Sequence, residues 1–338
     1  MSPASRAAAS LQQEVVVTAS TTEPAALGRS RSRSGVRMGD RVFSGLAVGA
    51  GVLLLAVMAA IAVFLLVEAV PGIRADSKNW LVEKTWFPDS TPSVWGISAL
   101  AFGTVVSSLI ALVIAVPVAL GIALFISHYA PRRLAVLLGV LVDLLAAVPS
   151  VVYGLWGLNW FSPHILPFAH WLNDRFGWIP LFSGTVSGAQ TMFTAGVVLA
   201  IMILPIIAAV SREVFLQVPR SLEEAALALG ATRWEVIRTS VLPFGRPGII
   251  SAVMLGLGRA LGETIAIALV LSTSFTLNWH VLEPGGNTIA ANIPLNFAEA
   301  QGNGRSALIA SGLVLFVITL AVNMAARIII ARRKEFVS

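Results

Sequence analysis

Charge is scarce in this chain. Asp, Glu, Lys and Arg make up 12% of its 338 residues, about half of what a soluble globular domain carries. Cysteine is absent, which excludes disulfides and thiolate metal sites. The four histidines, His128, His164, His170 and His280, are scattered without ligand spacing, so no metal site is expected. No Gly-x-x-x-x-Gly-Lys-Ser/Thr phosphate loop occurs, so the chain is not expected to bind or hydrolyse ATP itself. No recognisable nucleophile–base pair stands out either, which argues against an enzyme.

What is present is apolar length. Hydrophobic residues make 57% of the chain, mean hydropathy is +0.84, and several runs exceed the roughly 18–20 residues that cross a bilayer as a helix. The expectation is an all-α polytopic membrane protein with six spans, near 42–70, 98–127, 134–158, 192–210, 248–274 and 307–331. Residues 1–41 are rich in Ser, Ala, Thr and Arg with no apolar period. They are expected to be a disordered basic tail.

Arginine and lysine near the span ends fall sixteen on one side and five on the other. The richer side holds Arg29 to Arg41, Arg132, Arg133, the five arginines between 211 and 247, and the basic C-terminus over 327–334. The positive-inside rule therefore expects both termini and the 211–247 loop in the cytoplasm. That placement explains the pI of about 10.7 without nucleic acid. The outer loops over 71–97 and 159–191 hold Trp80, Trp86, Trp95, Trp160, Trp171 and Trp178, expected as anchors at the membrane–water boundary.

The 211–247 loop has helical features. Ser221 with Glu224, and Thr232 with Glu235, have capping-box spacing. Leu222, Ala225, Ala226 and Leu229 form an apolar stripe, and Gly230 can supply a left-handed turn. The result is a helix–turn–helix elbow, suited either to lipid or to a soluble partner.

Three ionisable residues stand deep inside spans, whereas Glu68 lies within a turn of the outer end of the first. Arg259 lies roughly 16 Å beyond Gly248 at about 1.5 Å per residue, where a charge costs on the order of 2.5–3.5 kcal/mol. Glu263, four residues on, shares its helical face and can pair with it. Asp143 precedes Pro149, where the third span should kink or be interrupted; it can be a counter-ion for Arg259 or a structural hydrogen-bonding group. With all three ionised the trio sums to −1, so an anion route through Arg259 needs a protonated carboxylate or positive charge from a partner. Gly256, Gly258 and Gly262 thin the helix around Arg259.

The segment Glu224-Ala225-Ala226, Gly230 and Leu242-Pro243 resembles the EAA loop of permeases in binding-protein-dependent ABC importers. Ser240 departs from an aliphatic position of that pattern, and Val241 can take its role. The stretches LVDLLAAVPSVVYGLWG (141–157), GRALGETIAIALV (258–270) and TIAANI (288–293) resemble the PstC-type permeases of phosphate ABC importers. The resemblance implies a type I importer permease fold in a bacterial plasma membrane. It also implies a second similar permease subunit as heterodimer partner, a cytoplasmic ATPase dimer that uses ATP, and an extracytoplasmic phosphate-binding protein. It assigns ATPase coupling to Glu224, Ala225, Ala226, Gly230, Leu242 and Pro243, and the substrate pathway to Arg259 and Glu263, with Asp143 added from its depth. Alternatives are a permease for sulfate or molybdate and a proton-coupled secondary transporter using Asp143, Glu263 and Arg259 as a relay.

Overall fold

A computed structural model describes residues 38–334. The basic tail expected over 1–41 falls almost wholly outside the described residues. By internal contacts the chain divides at Val57, within the first helix α1 (Met38–Ala75). Up to that point every described side chain of α1 is exposed.

From Met58 onward the fold is helical apart from one small hairpin. The helices are α2 (Ser98–Leu124), α3 (Arg132–Ala146), α4 (Ser150–Trp156), α5 (Ser162–Phe176), α6 (Met192–Leu216), α7 (Arg220–Ala228), α8 (Arg233–Val236), α9 (Leu242–Leu261), α10 (Ile265–Val270), α11 (Ile289–Phe297) and α12 (Gly302–Lys334). Three π turns, Phe125–Tyr129, Gly157–Phe161 and Ile237–Val241, follow α2, α4 and α8. Helices dominate because a bilayer offers no partner to an unpaired backbone group, and a helix satisfies its own.

Among the described residues, five helices are long and apolar enough to span a membrane. A sixth span can be made only from the bent pair α3 and α4–α5, which turn by 87°. The third span, expected over 134–158 with a disruption at Pro149, is indeed broken there. It breaks at Ala147-Val148-Pro149, because proline cannot continue the hydrogen-bond ladder. Helix α5 occupies much of what was expected to be an outer loop. The fifth span is also interrupted, ending at Leu261 and restarting at Ile265.

The core is centred on α6, which buries Leu199, Ile203 and Ile207 completely. Against it lies α2, whose Ala111, Ala115, Ala119 and Ala123 are all fully buried. A small residue every fourth position lets two membrane helices approach closely, where dispersion replaces the missing hydrophobic drive.

On the side of the chain between α1 and α2, strands β1 (Trp86–Phe87) and β2 (Val94–Trp95) pair antiparallel. Trp95 is fully buried there, stacked on Trp80 at 5.5 Å and edge-on to Trp86 at 5.8 Å. Its indole N–H donates to the Gly72 carbonyl at 3.2 Å. The expectation of interfacial anchors fails for this cluster, because the tryptophans pack on one another. Trp178, at 80% exposed, does lie on the surface. Asp89, in the hairpin turn, accepts from the backbone N–H groups of Gln301 (3.2 Å) and Gly304 (2.8 Å), capping α12.

Candidate functional site

The two interrupted spans meet at their breaks. Helix α4 packs directly on α10, and Gly154 makes the contact possible: a Cβ there would lie 2.8 Å from the Ala266 Cα. Gly157 faces Val270 and Val198 in the same way. The stretches PSVVYG and ETIAIALV are thus two sides of one interface. Tyr153 staples the first break by donating its hydroxyl to the Leu145 carbonyl at 3.0 Å. Asn292, from the third stretch, is fully buried in α11 and accepts from the Asn287 and Asn296 side chains at 3.1 and 2.8 Å.

Arg259 stands in the last turn of α9, one turn before the second break. It is half-buried, and its Nε is buried without a hydrogen-bond partner. Arg259 thus lies beside the second break, where the helix ends at Leu261. Of the three glycines, Gly256 packs on Ile207, whereas Gly258 opens onto free space and Gly262 is exposed. Backbone beside Arg259 is therefore accessible from one side.

The ion pair that the spacing of Arg259 and Glu263 allows is absent from the ion pairs among the described residues. Spacing of four residues brings side chains together only within one helix, and α9 ends at Leu261. Glu263 is buried and instead accepts from the backbone N–H of Ala266 at 3.1 Å, capping α10. Asp143 is not the counter-ion of Arg259 either. It pairs at 3.4 Å with Arg212, which also holds Glu213 at 2.8 Å. Arg212 lies across Gly139, where a Cβ would collide with its guanidinium. The fourth span runs on to Leu216 rather than ending near 210, so Arg212 belongs to α6 and not to a loop.

The elbow lies between α6 and α9. Helix α7 starts at Arg220 after Pro219, without a side-chain cap, so Ser221 is not its cap. Gly230 has φ +82°, the left-handed turn expected of it. Thr232 and Glu235 form a complete capping box at the start of α8. Val241 is fully buried with Phe215 and Ile237, filling the aliphatic place that Ser240 leaves, while Ser240 donates to the Leu222 carbonyl at 3.4 Å. Leu242 and Pro243 open α9.

Helix α7 buries none of its residues. Glu224 and Ala225 are exposed, with Leu227, Leu229 and Trp234 beside them at 50%, 90% and 57%. Glu223, not Glu224, turns inward to His128. Nothing in residue order distinguished the two acids; only the register of α7 does.

Glu283 joins two loops, the one before α6 and the one before α11. The Asn278 amide donates to it, the Thr185 backbone N–H donates at 3.1 Å, and His280 lies at 3.4 Å. These bonds, the Asn278 one foremost, hold its carboxyl below the usual range against a smaller opposing effect of burial.

The family model for binding-protein-dependent transport system inner membrane components matches residues 115–335. The phosphate transport system permease protein PstC 2 of Mycobacterium tuberculosis is 47% identical over 300 residues, covering 87% of this chain and 92% of the relative. The phosphate transport system permease protein PstC of Haemophilus influenzae is 41% identical over 286 residues, covering 82% and 89%. Among solved structures, the inward-facing MetNI methionine ABC transporter shares 19% identity at a TM-score of 0.47, over 68% of this chain and 90% of that one. Matched across most of its length, with long apolar helices and an elbow between the fourth and fifth spans, the chain belongs to the family of binding-protein-dependent transport system inner membrane components and is a multi-pass membrane permease.

Proposed function

We propose that this chain is one permease subunit of an ATP-driven phosphate importer. The observation that carries the reading is its 47% identity, over 92% of the relative, to a protein named as a phosphate transport permease. The geometry supports it. An arginine held in a span without a carboxylate is expensive, and the cost is offset when a visiting oxyanion supplies the missing acceptors. A planar guanidinium suits phosphate oxygens in just that way. The broken helix beside Arg259 leaves backbone facing a path, the pattern by which transporters build midplane sites.

The pathway is completed by a second, similar permease. The exposed elbow, with Glu224, Ala225, Ala226 and Gly230 leading into Leu242-Pro243, docks on a cytoplasmic ATPase dimer that consumes the ATP. Phosphate arrives on an extracytoplasmic binding protein, and both termini lie in the cytoplasm. Closure of the ATPases would shift the elbow and reorient α9 and its neighbours. The test is phosphate accumulation by the reconstituted complex in vesicles. Uptake that needs ATP and binding protein supports the reading, while uptake on a proton gradient without ATP overturns it.

A further inference from the structure

We infer that His128 is a positioning residue for the elbow, a charge-dependent latch between α2 and α7; the inference rests on the reading of α7 as the coupling helix. The starting point is that α7 buries nothing of its own, so its placement must be fixed by a few contacts. One is the weak Ser240 bond to Leu222. Another is the ion-pair contact at 3.6 Å between His128 Nε2 and Glu223 Oε1.

His128 lies in the π turn Phe125–Tyr129 that closes α2. Such a turn inserts one residue into the helical ladder and re-aims its side chains. The imidazole is largely buried, edge-on to Phe215 at 6.4 Å. It lies between a cavity of about 300 Å³ and a second of about 140 Å³, both bordered by α7. These hollows leave α7 room to move when the contact opens.

The hydrogen bonding at the other ring nitrogen makes the latch sensitive to charge. Nδ1 lies 2.7 Å from the Ser127 hydroxyl. That hydroxyl has one proton, which it donates to the Ala123 carbonyl at 2.8 Å. We take Nδ1 as the donor toward Ser127, the tautomer that lets Ser127 keep its bond to Ala123. With Nδ1 protonated, Nε2 carries a proton only in the imidazolium. A neutral ring therefore turns a lone pair toward the Glu223 carboxylate, and a charged ring turns an N–H. The other charged groups around the two cavities are Arg220 and Glu224 from α7 and Arg233 from α8, with Tyr129 the remaining titratable neighbour. The two arginines balance the two glutamates, so the imidazole proton decides the local sign.

The experiment uses the permease with its ATPase and binding protein in vesicles, with pH on the ATP side stepped from about 6 to about 8, the window in which histidines change charge. The reading is phosphate moved per ATP hydrolysed. Wild type should lose roughly two- to fivefold across the step, the range of a partly exposed ion pair. His128→Gln and Glu223→Gln should each remove the step, and His128→Lys, a permanent cation, should hold the acidic-side value throughout. A pH step in His128→Gln parallel to wild type overturns the inference, as does a step retained in Glu223→Gln. If wild type moves no phosphate with ATP, the parent reading falls instead. The latch is then judged by hydrogen-exchange protection over 220–228, which must fall with rising pH in wild type and not in His128→Gln.

Discussion

Arg212 and Arg259 are both arginines carried by the long apolar helices, and their surroundings are opposite. Arg212 in α6 is 14% exposed, lies in the notch at Gly139, and meets two carboxylates, Asp143 and Glu213. Arg259 has a buried, unpartnered Nε, and the carboxylate nearest in sequence is spent on the N–H of Ala266. One arginine is a finished brace between α3 and α6. The other has donors left over beside a helix break. Depth in a span does not separate a structural charge from one kept for a visitor; the census of its acceptors does.

The contrast can be broken experimentally. Arg259→Ala should cut phosphate uptake on the order of 100-fold, the loss expected when charge-assisted bonds to the transported ion vanish. Assembly with the ATPase should be unchanged, and normal uptake would strip Arg259 of its role. Glu224→Lys should lower ATP-dependent uptake at least about tenfold, as for a disrupted interface anchor, with weaker co-purification of the ATPase; unaltered binding and uptake would remove the docking claim. Arg212→Ala should act through stability instead. Both its carboxylates are more than half exposed, so the cost is only about 1 kcal/mol. It should be visible as a lower thermal midpoint, with uptake per folded complex near normal; a specific loss of uptake would make the two arginines alike.

The smallest effect belongs to Glu283→Gln in the loop before α11. Its carboxyl is held below the ordinary range in the folded state, so it stabilises fully above the unfolded carboxylate value of about 4.3. The contribution fades as pH falls through the lower folded value. The thermal midpoint of the variant should trail wild type near pH 7 and converge with it once pH falls below the lowered folded value. A gap that persists in acid would assign the effect to packing.

Sequence patterns exposed the apolar spans, the left-handed Gly230 and the Thr232–Glu235 capping box, because each follows from local chemistry. The break at Pro149 was legible for the same reason. The break after Leu261 was not, since Gly262-Glu263-Thr264 carries no proline and reads as continuous helix. That unseen break is why the spacing allowed an Arg259–Glu263 pair that the fold does not make. Partners 69 residues apart, such as Arg212 and Asp143, leave no mark in spacing. Nor does residue order show why Trp95 is buried, because its pocket is made by Trp80, Trp86 and Gly72 after folding. Of the site residues, Arg259 was legible from its cost, whereas the inward turn of Glu223 required the register of α7.

Asp89 is separated by 215 residues from the Gly304 amide it serves. Insertion into a membrane proceeds from the N-terminus, so this carboxylate waits through the addition of four later spans before its amides exist. A ribosome stalled ahead of residue 301 would leave the hairpin turn without its seat and the closing span unsewn. The hairpin after the first helix is thus completed only when the last described helix arrives.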